Sequence, residues 1–207
     1  MVNNIPLNNP VSGQAPSGPE LQGIAMENIE KVSILRSPST ILYGNNAMLG
    51  VIKVDTKKDM KGIRLDFDMG SFGELDGGIA LGHSFGETHV SLSGRLGSIT
   101  GQDMYIPEQN LSYTHGDQRD FAGLQLQVNR RKLSFTGGFT QRSGNIAVGP
   151  EAIPIDTLGP YYGGGSSFNT NLFADISYES PVSTNQFIHA RLFVNYALSE
   201  RNYEYLY

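Results

Sequence analysis

The sequence contains no cysteine and no tryptophan, and charged residues occupy only 17% of its 207 positions. Without cysteine the chain has no disulfide, no thiol nucleophile and no thiolate metal site. No stretch approaches the roughly 20 apolar residues that a membrane-spanning helix needs, and no signal-peptide pattern opens the chain. The net charge is −5, and no long run of lysine or arginine occurs. These absences exclude a helical membrane protein and argue against nucleic acid as a partner.

Glycine and aromatic residues are abundant instead, with 25 glycines, 10 tyrosines and 10 phenylalanines. This composition is typical of a β-rich protein whose strands pass through tight turns and lie partly in apolar surroundings. The composition therefore predicts an all-β fold.

Apolar residues recur at every second position from Ile63 onward, which is the period of a strand with one apolar face. The first such stretch carries Ile63, Leu65, Phe67 and Met69. Further stretches are centred on Ile79, Leu92, Leu126, Phe135, Ile176 and Leu192. The pattern predicts about seven antiparallel strands.

The connections between these strands alternate in length. Residues 85–88, 129–132 and 179–185 form short links, whereas residues 99–117 and 143–166 form longer ones that are rich in glycine or tyrosine. Outer-membrane barrels have short periplasmic turns and longer extracellular loops. Strands of a soluble β-sandwich also alternate apolar and polar residues, but the lengths of the links favour the membrane barrel.

The N-terminal part has a different pattern. Residues 29–35 and 51–55 are two short β-prone runs with turn-forming residues between them, and residues 40–43 could add one helical turn after Pro38. Lysine-rich residues 57–61 form a polar hinge. We therefore divide the chain into residues 1–58 and residues 59–207. Because Met1 lies at the edge of a segment rich in proline, asparagine and glycine, we expect a truncated N-terminus.

Residues 29–54 read IEKVSILRSPSTILYG followed by NNAMLGVIKV. They closely resemble the end of the plug domain of TonB-dependent outer-membrane receptors, whose pattern is approximately IERIEVLRGPxSxLYGxxAxGGVINIxTK. The match covers about 28 residues without a gap and directly precedes the alternating strands. Two departures from the pattern matter for the turns, since Ser37 and Leu49 stand where the family has glycine.

The resemblance implies that residues 1–58 are the C-terminal part of the plug and residues 59–207 the first portion of a transmembrane β-barrel. The complete barrel of the family has 22 strands, is filled by the plug and lies in the outer membrane of a Gram-negative bacterium. The family takes up a scarce ligand such as an iron-siderophore or cobalamin. Its partners are outer-membrane lipid, the small-molecule ligand and the TonB complex, which binds through a TonB box absent from this chain.

The resemblance also assigns residues. It places Arg36 at the plug–barrel interface, paired with carboxylates on strands that this chain lacks, and Glu30 at the same interface. The matched plug motif includes Pro38, Leu42, Tyr43, Gly44 and Gly50.

Ligand contacts are expected on the long loops, where tyrosine and glycine offer an adaptable surface. The candidates are Tyr105, Tyr113, Tyr161 and Tyr162. The four histidines lack metal-ligand spacing. The acidic residues in or next to the long connection at residues 99–117, which are Asp103, Glu108, Asp117 and Asp120, do not match a calcium-loop pattern. We predict no metal site and no cofactor.

No catalytic motif is present: the sequence has no GxSxG elbow, no HExxH and no phosphate-binding loop between a strand and a helix. We therefore predict that the protein is not an enzyme. The leading function is TonB-dependent uptake, and the alternative is a self-contained β-barrel adhesin or a small pore assembled from several copies.

Overall fold

The computed structural model describes residues 1–3, 5, 24–36, 50–106, 111–113, 115, 117–146, 162–183 and 186–205. Within these ranges the chain is built almost entirely of β-strands, as the sequence predicts, and the helical segments are two 3₁₀ turns, Met26–Asn28 and Ser71–Gly73. The helical turn expected at residues 40–43 lies outside the described residues. Among the described helices, none is long and apolar enough to cross a membrane.

The N-terminal unit contains β1 (Ile29–Leu35) and β2 (Val51–Thr56), which pair antiparallel. The main sheet has seven strands: β3 (Gly62–Met69), β4 (Leu75–Phe85), β5 (Thr88–Ile99), β8 (Arg119–Arg130), β9 (Leu133–Ile146), β10 (Tyr162–Ser183) and β11 (Gln186–Tyr205). A separate hairpin of β6 (Met104–Ile106) and β7 (Leu111–Tyr113) lies within the long connection between β5 and β8.

The seven strands follow one another as antiparallel neighbours in the order β11-β10-β9-β8-β5-β4-β3. The sheet is therefore a meander, and the seven alternating stretches of the sequence are its seven strands. Two links at one end are two-residue turns, with the chain between β4 and β5 turning at Gly86, whose φ is 60°. This conformation is readily adopted by glycine.

One face of the main sheet is apolar and exposed. A row of directly paired residues crosses all seven strands on this face: Leu65, Ile79, Gly94, Leu124, Phe139, Leu172 and Tyr196. Large side chains on this face remain open, with exposures of 73% for Leu65, 77% for Met69 and 74% for Leu192. We call it the apolar face.

The opposite face is mainly polar, and it is covered on the central strands β4, β5, β8, β9 and β10. The next row of paired residues consists of Asp66, Gly78, Arg95, Gly123, Thr140, Asn171 and Ala197. Gln127, Asp175 and Arg95 on this polar face are only 4%, 6% and 7% exposed. Burial is thus inverted relative to a soluble sheet. In water, such an exposed apolar face would cost roughly 25 cal/mol per Å² of apolar surface. This arrangement suits a wall with lipid on one side and polar protein on the other.

The height of the apolar face agrees with a bilayer. On β8 the outward residues between Asp120 and Arg130, ten positions apart, are Ala122, Leu124, Leu126 and Val128. Ten residues of strand span about 33 Å, which at a tilt of about 45° gives roughly 23 Å of height. The apolar band of outer-membrane barrels is about 25 Å tall.

Aromatic residues near the strand ends divide between the two faces of the sheet. Phe85 and Tyr178 lie in the outward row next to the short turns, together with Arg130. Phe121 is 6% exposed and pairs with Gly97 on the polar face. Phe121 therefore faces away from the apolar face, since its strand position places it inward with Gly123 and Gln125.

Candidate functional site

The N-terminal unit has a small apolar centre that orients its polar residues. Buried Val2 and Val54 form this centre, and Ile24 and Ile29 pack against it. Met1 to Asn3 run along β2, where the backbone N–H of Asn3 donates to the Val54 carbonyl at 2.9 Å. Polar side chains of the same unit meet the polar face of the main sheet.

A buried chain of hydrogen bonds joins β2 to β8. The Gln125 amide Nε2 donates to Thr56 Oγ1 at 3.3 Å, and the same hydroxyl lies 3.1 Å from Gln127 Oε1, to which it donates. Gln125 and Gln127 stand on the same face of β8, two residues apart, so one hydroxyl can bridge them. Because the amides point into the sheet's covered side, each bond replaces a contact with water that burial has removed.

Further contacts extend along β5 and the hinge. Asn28 Nδ2, at the end of the first 3₁₀ turn, donates to Ser93 Oγ at 3.1 Å, and both residues are buried. Asn129 Nδ2 donates to the Lys58 carbonyl at 3.0 Å. These contacts between the unit and the sheet are hydrogen bonds between polar groups.

A charge cluster lies at the centre of this contact. The guanidinium of Arg95, on β5, contacts the carboxylates of Asp66 at 2.8 Å and Asp68 at 3.0 Å, and it also contacts Asp76. A fourth carboxylate comes from the N-terminal unit, since Glu27 Oε1 lies 3.5 Å from Arg95 Nη1. We call these five residues the Arg95 cluster. It joins β3, β4 and β5 to the turn that precedes β1.

Glycines make room for this cluster. Gly78 and Gly123 are the direct partners of Arg95 on the two neighbouring strands. A β-carbon at Gly78 would overlap with Asp66 Oδ1 and lie 2.8 Å from Glu27 Oε2. The absence of a side chain at Gly78 therefore forms the notch into which Glu27 enters.

Cations also approach the backbone of Glu27. Its carbonyl oxygen accepts from Lys57 Nζ at 2.7 Å and from Arg64 Nη1 at 3.5 Å. Burial raises the pKa of the Glu27 carboxyl, and nearby Asp66 acts in the same direction, against a backbone hydrogen bond and Arg95, which lower it.

The acidic residues of the sheet converge closely enough to hold a cation. Oxygens of Asp66, Asp68 and Asp76 lie within 4.8 Å of one another. Arg95 already supplies a positive charge to all three. The space between the three carboxylates is thus occupied by the protein's own guanidinium.

The residues assigned from the sequence lie elsewhere. Glu30 and Arg36 are exposed, one near the start of β1 and the other just after its end. Their role at the plug–barrel interface stays a prediction. Gly50 has a φ of 141°, and a β-carbon there would overlap with the Leu35 carbonyl, which gives a conformational reason for this motif glycine. The other motif residues, Pro38, Leu42, Tyr43 and Gly44, lie outside the described residues.

The tyrosines predicted to contact ligand lie at the end of the sheet with the long connections. Tyr105 is 58% exposed on β6, Tyr113 ends β7 opposite Met104, and Tyr162 begins β10. Tyr161 lies outside the described residues. Their role in binding stays a prediction.

Two of the loop carboxylates have a structural role. Asp117 Oδ1 accepts from the Gln102 backbone N–H at 2.7 Å, and Asp103 Oδ1 accepts from that of His115 at 3.0 Å. These bonds close the base of the connection that carries β6 and β7.

Sequence reasoning missed Glu27 and the glutamine bridge. Arg95 could be assigned to the polar face from its alternation with Leu96, but nothing in the local sequence pairs it with a residue 68 positions away. Gly78 lies directly opposite Arg95, but this relationship can be recognised only when the register of β4 and β5 is known.

Comparisons with known proteins agree with this arrangement. Residues 1–51 match the family model for the TonB-dependent receptor plug domain. The vitamin B12 transporter BtuB of Vibrio vulnificus (strain CMCP6) is 26% identical over 171 residues, which cover 79% of this chain and 26% of that protein.

The fold is similar to a solved structure, the open form of the ferric-catecholate import receptor Fiu from E. coli K12. The TM-score is 0.58 at 16% sequence identity, and the similarity covers 86% of this chain and 30% of that chain. The chain thus spans between a quarter and a third of the length of these two proteins, and both are named for transport or import.

Proposed function

Because this chain belongs to the TonB-dependent receptors of the Gram-negative outer membrane, we propose that it forms the plug–barrel junction of a receptor for active uptake of a scarce ligand. In this proposal residues 1–58 are the C-terminal part of the plug and residues 59–207 begin the barrel. The apolar face contacts lipid, and the polar face forms the wall of the lumen.

The observation that carries the proposal is the polar contact between the N-terminal unit and the buried face of an inverted sheet. A plug held by an apolar interface would expose that surface to water whenever it moved. Hydrogen bonds such as those of Thr56 with Gln125 and Gln127 can be exchanged for bonds to water. A contact of this kind suits a plug that must be displaced during each transport cycle.

Open edges support a larger barrel. The edge strands of the described sheet, β3 and β11, do not pair with each other. A sheet edge in a bilayer leaves backbone groups unsatisfied, so a membrane barrel must close. Additional strands of the same receptor would close the barrel most simply. In the alternative function, a small pore, several copies of the chain would close the barrel together.

Ligand class is proposed from the two similar proteins: cobalamin or a ferric catecholate, with TonB as the source of energy. The test uses cells that lack their own receptors for both ligands and carry the protein with its natural flanking sequence in the outer membrane. Radiolabelled cyanocobalamin and a ferric catecholate are the probes. Energised accumulation of either probe, lost in a strain without TonB, supports the proposal. Ion conductance that is independent of TonB, with no accumulation of either probe, supports the pore instead.

A further inference from the structure

We propose that docking of the Glu27-bearing turn onto the strand wall is linked to a proton: one proton held between Glu27 and Asp66 locks the plug against the barrel, and its loss loosens this contact. The inference rests on the proposed plug–barrel function and adds a regulated state of the same contact. The Glu27–Asp66 pair is called the carboxyl pair below.

The first argument is the charge balance of the Arg95 cluster. Four carboxylates surround one guanidinium, with Asp66, Asp68 and Asp76 on the sheet and Glu27 on the turn. The other cations near the turn are Lys57 and Arg64, and both bind the Glu27 carbonyl rather than its carboxylate. With all four acids ionised, the carboxylates outnumber Arg95, Lys57 and Arg64 by one, and Asp68, at 63% side-chain exposure, is the acid most open to water. Like charges in such a site favour retention of a proton by one of them.

The second argument is the position of two oxygen atoms. Glu27 Oε2 and Asp66 Oδ1 are buried, and neither has a hydrogen-bond partner among the described residues. Both lie where a side chain at Gly78 would otherwise be. Two ionised oxygens so placed repel each other and lack donors, at a cost that burial increases. A single proton turns one carboxyl into a donor and the other oxygen into its acceptor.

The direction of the effect follows from the site. Burial raises the pKa of Glu27 when the turn is docked, and Asp66 adds to the rise. A group whose pKa is higher in the docked state binds its proton more tightly there. The proton's contribution to docking is complete below the ordinary pKa of glutamate and is lost as the pH rises through the raised value. Acid therefore locks the plug, and a rising pH loosens it.

The size of the effect is bounded by its stoichiometry. Linkage to one proton changes the docking equilibrium by at most about tenfold per pH unit, and only between the two pKa values. Asp68 and Asp76 remain paired with Arg95 on the sheet in both states. The linkage therefore concerns the approach of the turn and leaves the strand wall intact.

The experiment measures docking directly. Because the chain has no native cysteine, spin labels at Lys31→Cys on β1 and Ser71→Cys beside β4 report one distance. Both native residues are exposed. The labelled protein, with its natural flanking sequence and in outer-membrane vesicles, is frozen at pH values between about 4 and 8.5. The fraction in the short, docked distance should rise as the pH falls, by up to tenfold per unit in the ratio of docked to undocked protein.

Glu27→Gln carries permanent amide donors and no titratable proton. Its docked fraction should match the acid value of the unsubstituted protein at every pH, and Asp66→Asn should flatten the profile in the same way if the first variant fails to assemble. The matched control is Asp59→Asn, which removes an exposed acid from the hinge and should leave the profile unchanged. A Glu27→Gln profile identical to that of the unsubstituted protein, or docking that weakens in acid, overturns the proposal.

The outcome is separable from that of the proposed function. A proton-dependent distance in a protein that accumulates neither probe would overturn the uptake assignment and leave the lock standing. Energised uptake in a protein whose spin-label distance does not depend on pH would support the uptake assignment and overturn the proton lock.

Discussion

Glu27 and Arg95 are 68 positions apart in the sequence, yet Glu27 Oε1 lies 3.5 Å from Arg95 Nη1. One residue belongs to the turn before β1 and the other to the third strand of the main sheet. The family resemblance assigns the anchoring charge of the plug to an arginine, Arg36. Here the described charge contact has the opposite polarity, with the carboxylate on the plug side and the guanidinium on the sheet.

Removal of the central cation should weaken the contact strongly. In Arg95→Met, the carboxylates of Asp66 and Asp76 lose their shared partner, and breaking such a buried group typically costs about 3–5 kcal/mol. Hydrogen exchange of residues 24–36 in the assembled protein is the measurement, and protection there should fall sharply. The control is Arg131→Met, which breaks the exposed Arg131–Glu87 pair at a turn and should cost less than about 1 kcal/mol. Equal protection in the two variants would contradict the prediction.

A methyl group at Gly78 should expel Glu27 from its notch. The added β-carbon of Gly78→Ala overlaps with Asp66 Oδ1, and overpacking of this kind costs about 1–3 kcal/mol. The neighbouring Gly77→Ala is a matched control on the apolar side. Its added β-carbon would lie 3.7 Å from the Phe67 ring and 3.3 Å from the Asp66 carbonyl oxygen, a contact that needs a shift of only a few tenths of an ångström. The Lys31–Ser71 spin-label distance should lengthen in Gly78→Ala and stay short in Gly77→Ala. An unchanged distance in both would show that the notch does not position Glu27.

The glutamine bridge should behave as one unit. Thr56→Val removes the hydroxyl that joins Gln125 to Gln127 and leaves buried amide groups unpaired, at about 1–3 kcal/mol. Gln127→Leu removes one of these groups, so the double substitution should cost less than the sum of the single ones. The measurement is a double-mutant cycle on hydrogen-exchange protection of β2. Ser199→Ala, which removes an exposed hydrogen bond to Asn169, is the control, and strict additivity would argue against the bridge.

The apolar face should reject charge according to depth. Leu126→Arg places a cation near the middle of the band on β8, where the cost in a bilayer is about 2–4 kcal/mol. Ser143→Arg lies in the outward row beside Asp120, near the boundary, where the cost is about 0–1 kcal/mol. The yield of protein assembled in the outer membrane should fall for Leu126→Arg alone. Equal yields would place the apolar face outside the bilayer.

Much of the sheet follows from the sequence because strand alternation is a local property of the backbone. The side chains of Leu124 and Leu126 point away from those of Gln125 and Gln127 in any extended chain. Polar residues that alternate with apolar ones therefore identify two faces, and link lengths indicate the ends of the strands. The plug motif adds the prediction of a junction near residue 58.

The partners across the junction do not follow in the same way. Alternation places Arg95 inward, but its charge does not specify which of the chain's 20 acidic residues will meet it. Glu27 reaches Arg95 because β3 to β5 pair in one register, because Gly78 leaves a notch and because Val2 and Val54 orient the N-terminal unit. Phe121 illustrates the same limit, since it is apolar and yet its position on β8 places it on the inward face, where it is 6% exposed.

The sequence by itself thus determined the strands, their two faces and the family to which the chain is similar. The alternation of apolar and polar residues and the plug motif are both properties of residues that are close together in the sequence. The tertiary structure alone decided that the plug side contributes a carboxylate to a buried arginine and a hydroxyl between two amides. Those contacts depend on how two units dock, and docking depends on shape and charge from positions far apart in the chain.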